Sequence, residues 1–221
     1  LNQEHSNERN ADPALEARIR SMETAYRMQL AASDAFDISL EPTKTREMYG
    51  KGHFANGCLL ARRLAERGVR FTQLYYGNGQ PWDTHSNHTA STRNLCKDID
   101  QPIAALLTDL KNRGLLDETL VVWGGEFGRT PTTENADGRD HNPWGFSMFM
   151  AGGGVKAGHV HGATDDFGHH AVKDVVNHYD LLATILHLFG LDHKKLTYQR
   201  NGQALALTDN QPGQIVKNII A

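Results

Sequence analysis

Three short stretches of this chain gather side chains that hold metal ions or manage charge. The first is Trp82-Asp83-Thr84-His85-Ser86-Asn87-His88, where Asp83 offers a carboxylate oxygen and His85 and His88 offer imidazole nitrogens on one loop. The second is Gly124-Gly125-Glu126-Phe127-Gly128, with the carboxylate of Glu126; the third is Gly138-Arg139-Asp140-His141-Asn142-Pro143, which repeats the mixed pair in Asp140 and His141. Three to five such ligands around one or two ions make the usual hydrolytic metal centre. A lone Asp-x-His is more often a turn held by local hydrogen bonds, so the argument rests on the three clusters converging. Arg129 follows the second cluster. Its planar guanidinium suits a tetrahedral oxyanion held by two hydrogen bonds, and equally suits an ion pair with Glu126 or Asp140.

Composition narrows the metal. The 221 residues include 12 His but only two Cys, Cys58 and Cys96, too few for a thiolate site or a disulfide framework. Nitrogen and carboxylate oxygen must then do the work, which suits zinc, manganese, magnesium or calcium, as one ion or two. A formal net charge of -3 leaves no basic stripe for nucleic acid. No run approaches the roughly 20 apolar residues of a membrane span. The chain opens Leu-Asn-Gln-Glu-His, without an initiator Met or an apolar leader core, so it reads as processed or as part of something longer.

The other histidines point less clearly to chemistry. His159 and His161 alternate on an extended segment, but late in the chain and after a glycine turn, unlike the His-x-His of metal-dependent barrels. His169-His170 and Asp165-Asp166 read as a solvated surface loop, and His178, His187 and His193 as capping or exposed residues around the last helix.

The elements that must position the three clusters alternate between helix and strand. Residues 1–57 read as a polar, helical segment, beginning at Asp12-Pro13 with Leu15, Ile19, Met22 and Tyr26 at helical spacing. A helix over 58–67 closes at Gly68, and Val69 to Tyr76 reads as a buried strand. A long amphipathic helix covers 91–113, with a kink or restart at Pro102 and an end at Gly114. Strands follow at 119–123 and 146–151, then a helix over 179–189 capped by Gly190. The tail after Asp192 is polar up to a short apolar end at Ile215 to Ile220. This order is an α/β pattern. In an open α/β sheet, ligands bind beyond the carboxyl ends of the strands, where all three clusters fall.

The runs VVWGGEFGRTP (121–131), GRDHNPWGFSMFMAGGGVKAG (138–158), GATDDFG (162–168) and YDLLATILHLFGLD (179–192), with LLARRLAERGVRFTQLYYGNGQPWDTHSNH (59–88) upstream, resemble the DUF1501 family. Its members are often secreted, abundant in planctomycete-type bacteria and commonly labelled sulfatases. That family is similar in turn to the alkaline phosphatase superfamily. The resemblance implies a three-layer α/β/α sandwich, a metal site at the strand ends, a phosphate or sulfate ester or a sulfated glycan as substrate, and a periplasmic or secreted full-length protein. Carried over by position, Asp83 with His85 or His88, Glu126, and His141 take the places of metal ligands.

Two features depart from the superfamily pattern. Phe127 stands where a His or Asn partner is usual, and the Asp-to-His spacing of the first motif differs from the usual one. There is also no Cys-x-Pro-x-Arg and no Asp-Ser-Ala, so the expectation is the back half of a longer protein, residues 58–221 being the C-terminal part of the α/β domain. Such a piece invites a missing N-terminal half or a second copy as partner. Two functions follow: a metal-dependent hydrolase domain, with Arg129 as its catalytic cation, or a non-catalytic metal- or partner-binding module on the same scaffold.

Overall fold

A computed structural model describes residues 13–208 and 211–221, which form two compact units divided between Tyr76 and Gly77. Asp12 lies outside the described residues. In the first unit, helix α1 runs from Pro13 to Ala32, starting at the proline whose missing N–H costs nothing in a first turn. Leu15 and Ile19 are half-buried, but Met22 and Tyr26 face solvent, so the stripe that predicts the helix does not become core along its length. A short 3-10 turn (Ile38–Leu40) follows, capped by Asp37, which accepts the Ser39 N–H at 3.0 Å. Helices α2 (Thr43–Tyr49) and α3 (His53–Glu66) then pack Tyr49, Ala55, Cys58 and Leu59 inward.

The same core buries two cations. Glu41 sits between them, with Arg62 Nη2 at 2.6 Å and Arg63 on its other oxygen. Arg63 also donates to the Ala35 and Asp34 carbonyls, and Arg62 reaches Glu66 at 2.6 Å. Burial works against the Glu41 charge, but the two guanidiniums outweigh it and hold the carboxyl below its usual range. Buried charge of this kind is tolerated only when so paired. Burial pushes the Cys58 thiol up to about 12, so it is an inert core residue.

The stretch 69–76, expected as a buried strand, forms no strand, and Phe71 and Tyr75 are largely exposed. Its β-branched and aromatic residues suit a sheet, but no strand among the described residues pairs with it, and an unpaired ladder is not a strand. Two of its side chains do find partners on α3. Tyr76 meets Phe54 edge-on with centroids 5.2 Å apart, and Leu74 lies so close to Gly57 that a Cβ there would stand 2.5 Å from its Cδ1.

The second unit begins its regular structure with α4 (His88–Asn112), which passes through Pro102 as one helix instead of restarting there. Ile99, Ala105 and Leu110 form its buried stripe, and Gly114, at φ 70°, ends it while the Leu115 N–H bonds the Leu110 carbonyl at 2.8 Å. Among the described residues, four two-stranded antiparallel sheets follow: β1 (Val121–Trp123) with β4 (Phe149–Ala151), β2 (Gly128–Arg129) with β3 (His141–Asn142), β5 (Ala163–Thr164) with β6 (Ala171–Lys173), and β7 (Thr197–Arg200) with β8 (Gln203–Ala206). The mixed helix and strand content fits an α/β class, although the pairings are antiparallel where helix-strand alternation suggests parallel ones.

Helix α5 (His178–Leu188) opens with a capping box, Asn177 accepting the Asp180 N–H and Asp180 accepting the Asn177 N–H. Asp180 also accepts the Gln214 N–H at 2.8 Å, and Thr184 accepts the Val216 N–H at 3.0 Å. The apolar end of the chain is thereby clasped to this helix. The polar tail is not featureless, because Asn201 and Gly202 both take positive φ and turn the β7–β8 hairpin. His193, expected as a capping or exposed residue, is buried, and among the described residues its Nε2 has no hydrogen-bond partner. Among the described residues, no helix is long and apolar enough to cross a membrane.

Candidate metal centre

The β2–β3 ribbon is the frame of the site. Its register places Arg129 opposite His141 and Gly128 opposite Asn142. Just beyond it, the Thr130 N–H bonds the Asp140 carbonyl at 2.9 Å and the Asp140 N–H bonds Thr130 Oγ1 at 3.1 Å. The intervening loop closes as a small hairpin, with Glu134 and Gly138 exchanging both backbone hydrogen bonds and Asn135 in the left-handed region. The hairpin docks on the Asp83–His88 loop. Arg139 N–H donates to the Thr84 carbonyl at 3.0 Å, Asn87 N–H donates to Asp137 Oδ1 at 2.8 Å, and Gly138 lies directly against the His85 carbonyl. The first and third clusters of the sequence are thus tied together by backbone.

Within this frame Asp83, His85 and His141 converge. His85 Nε2 and His141 Nε2 each lie 3.0 Å from Asp83 Oδ1 and 3.3 Å from one another. The far nitrogen of His85, Nδ1, is 2.6 Å from Glu134 Oε2. Asp140 joins a second group with His85 and Glu134; in each group the possible ligand atoms lie within 4.8 Å of one another. Asp140 also accepts the His141 N–H at 2.7 Å, fixing the backbone beneath that ring. The Phe127 ring packs on His141 with centroids 4.5 Å apart and carries the Arg129 guanidinium at 5.2 Å. It supports the imidazole from the side without offering a ligand.

Arg129 does not stand free. Its Nη2 bonds Glu126 Oε1 at 2.9 Å and Asp83 Oδ1 at 3.2 Å, so the ion pair with Glu126 is formed and Asp83, rather than Asp140, is the second partner. Glu126 is thereby linked to the centre through Arg129. His88 stands apart as the first residue of α4, its Nδ1 2.6 Å from Thr84 Oγ1 and 3.3 Å from Thr92 Oγ1. Glu134 lies in none of the three clusters read from the sequence, and its turn, Thr132-Thr133-Glu134-Asn135-Ala136-Asp137-Gly138, carries no ligand-like spacing.

The electrostatics follow from these contacts. The His141 hydrogen bond first, then the charges of His85 and Arg129, hold the Asp83 carboxyl below its usual range against partial burial. The hydrogen bond to Glu134, followed by the charges of Asp83, Glu134 and Asp140, raises His85. Burial, with Arg139 nearby, lowers His88. A backbone hydrogen bond and then Arg129 lower Glu126. The contacts therefore favour the ionised forms of Asp83 and Glu126 and the doubly protonated ring of His85, whose Nε2 proton a metal bound at that nitrogen must displace.

Behind the ribbon, Asn142 ties two loops to the site. It is 3% exposed; its amide donates to the His169 carbonyl at 3.0 Å and the Gly145 carbonyl at 3.3 Å, and its oxygen accepts the Trp144 N–H at 3.2 Å. Asn142→Ala leaves those buried and part-buried groups without this partner and is expected to cost about 1–3 kcal/mol, read as a lowered unfolding midpoint in urea. The Asp165 carboxylate gathers the far loop by accepting the Phe167, His169 and His170 N–H groups. These bonds, His169 first, depress its pKa below the ordinary 3.8. A depressed carboxyl stabilises the fold above its unfolded pKa and loses that contribution as pH falls through the folded value. Thermal melts of wild type and Asp165→Asn are therefore expected to differ most at neutral pH and to converge in acid below pH 3.8.

Fold and site together define a mixed α/β protein with a histidine-carboxylate centre on a short antiparallel ribbon. A family model described as "Protein of unknown function (DUF1501)" matches residues 1–220, and the chain belongs to that family. No curated protein and no solved structure matches it.

Proposed function

We propose that Asp83, His85 and His141 hold a divalent metal ion, and that the domain is a hydrolase of the sulfatase and phosphatase type acting on a sulfate or phosphate ester. The observation that carries this reading is the convergence of one carboxylate oxygen and two imidazole nitrogens on a common point. Two nitrogens and one oxygen suit zinc or manganese better than magnesium or calcium, which take oxygen ligands. When bound, such an ion polarises an ester oxygen and lowers the pKa of a coordinated nucleophile. Asp83 supplies the anionic ligand, and the His141 hydrogen bond first, then the charges of His85 and Arg129, favour its ionised form. The Arg129 guanidinium places positive charge where a non-bridging ester oxygen gains negative charge. In this reading the unit belongs to a three-layer sandwich of the alkaline phosphatase kind, and the complete protein works in the periplasm or outside the cell.

A panel of aryl phosphates and aryl sulfates, offered with zinc or manganese, tests the reading. Turnover that chelator abolishes and metal restores is the expected result. Arg129, held by two carboxylates, and Phe127, packed where a further ligand would be useful, favour a second reading: a module that holds metal without catalysis. Bound metal with no turnover across the panel selects that second reading and overturns the first.

A further inference from the structure

Resting on that metal-site reading, we infer that Glu134 is the positioning residue of the centre: it holds the His85 ring with its proton on Nδ1, so that the Nε2 lone pair faces Asp83 and His141. A neutral imidazole carries one proton, and the group that accepts it decides which nitrogen is left free. Two carboxylates compete for that proton, Glu134 at Nδ1 and Asp83 at Nε2. Glu134 has the shorter contact, 2.6 Å against 3.0 Å. Asp83 Oδ1 is already shared with His141 and Arg129, which weakens its hold on a third donor. Among the described residues, Glu134 Oε2 makes no other hydrogen bond or ion pair than that with His85.

The placement of Glu134 is built into the backbone. Its residue exchanges both hydrogen bonds with Gly138, and Gly138 abuts the carbonyl of His85 itself. The turn that carries the carboxylate is therefore fixed to the residue whose ring it orients. A ligating histidine whose second nitrogen meets a carboxylate is the usual outer arrangement of a metal centre, and loss of that partner costs about ten- to a hundred-fold in metal affinity. Glu134 is a third of the way exposed at its side chain, so its replacement leaves the core packing intact.

The test compares wild type, Glu134→Ala and Glu134→Gln by two readouts. In nitrogen-15 NMR of the metal-free proteins at alkaline pH, the neutral His85 ring is expected to carry its proton on Nδ1 in wild type and in Glu134→Gln, whose amide oxygen still accepts it. In Glu134→Ala the proton moves to Nε2, which then donates a hydrogen bond to Asp83. In zinc titrations by calorimetry, Glu134→Ala binds about ten- to a hundred-fold more weakly, and Glu134→Gln recovers most of the loss. An unchanged tautomer in Glu134→Ala, or zinc affinity equal to wild type, overturns the inference while leaving the metal site standing. Absence of zinc binding in wild type overturns the metal-site reading, and the tautomer measurement then decides the role of Glu134 alone.

Discussion

His141→Ala is expected to weaken zinc or manganese binding by at least about a hundredfold, more than the about ten- to hundredfold typical of outer-shell losses. The ring supplies one of three converging donors, and the remaining two, Asp83 Oδ1 and His85 Nε2 at 3.0 Å, would close on each other as an ordinary ion pair. His141 is nearly half exposed at its side chain, and its backbone is pinned independently by Asp140 and by pairing with Arg129. The variant should therefore fold with near-wild-type stability, which thermal melts of the metal-free protein can check. A comparable loss is expected for Asp83→Ala, with a further consequence: among the described residues, Arg129 then keeps only Glu126 as a carboxylate partner. If both variants bind metal as wild type does, the three donors are a hydrogen-bonded cluster and nothing more.

Gly138→Ala should damage the centre without replacing any candidate ligand. A Cβ at Gly138 would overlap the carbonyl oxygen and carbonyl carbon of His85. These are backbone atoms and cannot swing aside as a side-chain tip does, so the Asp83–His88 loop must move off the hairpin. Overpacking of this kind typically costs about 1–3 kcal/mol, and a shift of about 1 Å in a positioned site can cost about a hundredfold in function. Gly125→Ala is the matched control. It lies beside Glu126, yet its nearest contact would be 3.5 Å from the Phe127 carbonyl, ordinary van der Waals distance. Calorimetric zinc titration of both variants should show a large loss for the first and little change for the second.

Much of the local structure could be read directly. Gly68 and Gly114 mark the ends of α3 and α4, and Pro13 the start of α1, because each residue satisfies a backbone constraint that others meet poorly. The polar clusters that supply Asp83, His85 and His141 were also legible as clusters of ligand-type residues, although the apolar run before the first of them forms no strand. Pairing was not. Nothing within 119–123 or 146–151 states that the two strands run antiparallel, and nothing within 69–76 states that it lacks a partner, because register and direction are properties of two segments together. Glu134 was hidden for the same reason. It lies 49 residues from His85 in sequence, in a polar turn whose composition resembles any other turn. Its role comes from the Gly138 contact that seats the hairpin on the loop. The β7–β8 hairpin carried a readable signal in Asn201-Gly202, outweighed by the polarity of the tail around it.

Metal content of the purified protein, stripped with chelator and reloaded with zinc or manganese, tests the central claim most directly. The account predicts bound metal in wild type and its loss in the Asp83→Ala, His141→Ala double variant, with both proteins folded. A wild-type protein that binds neither ion, or a double variant that binds as much as wild type, would contradict it.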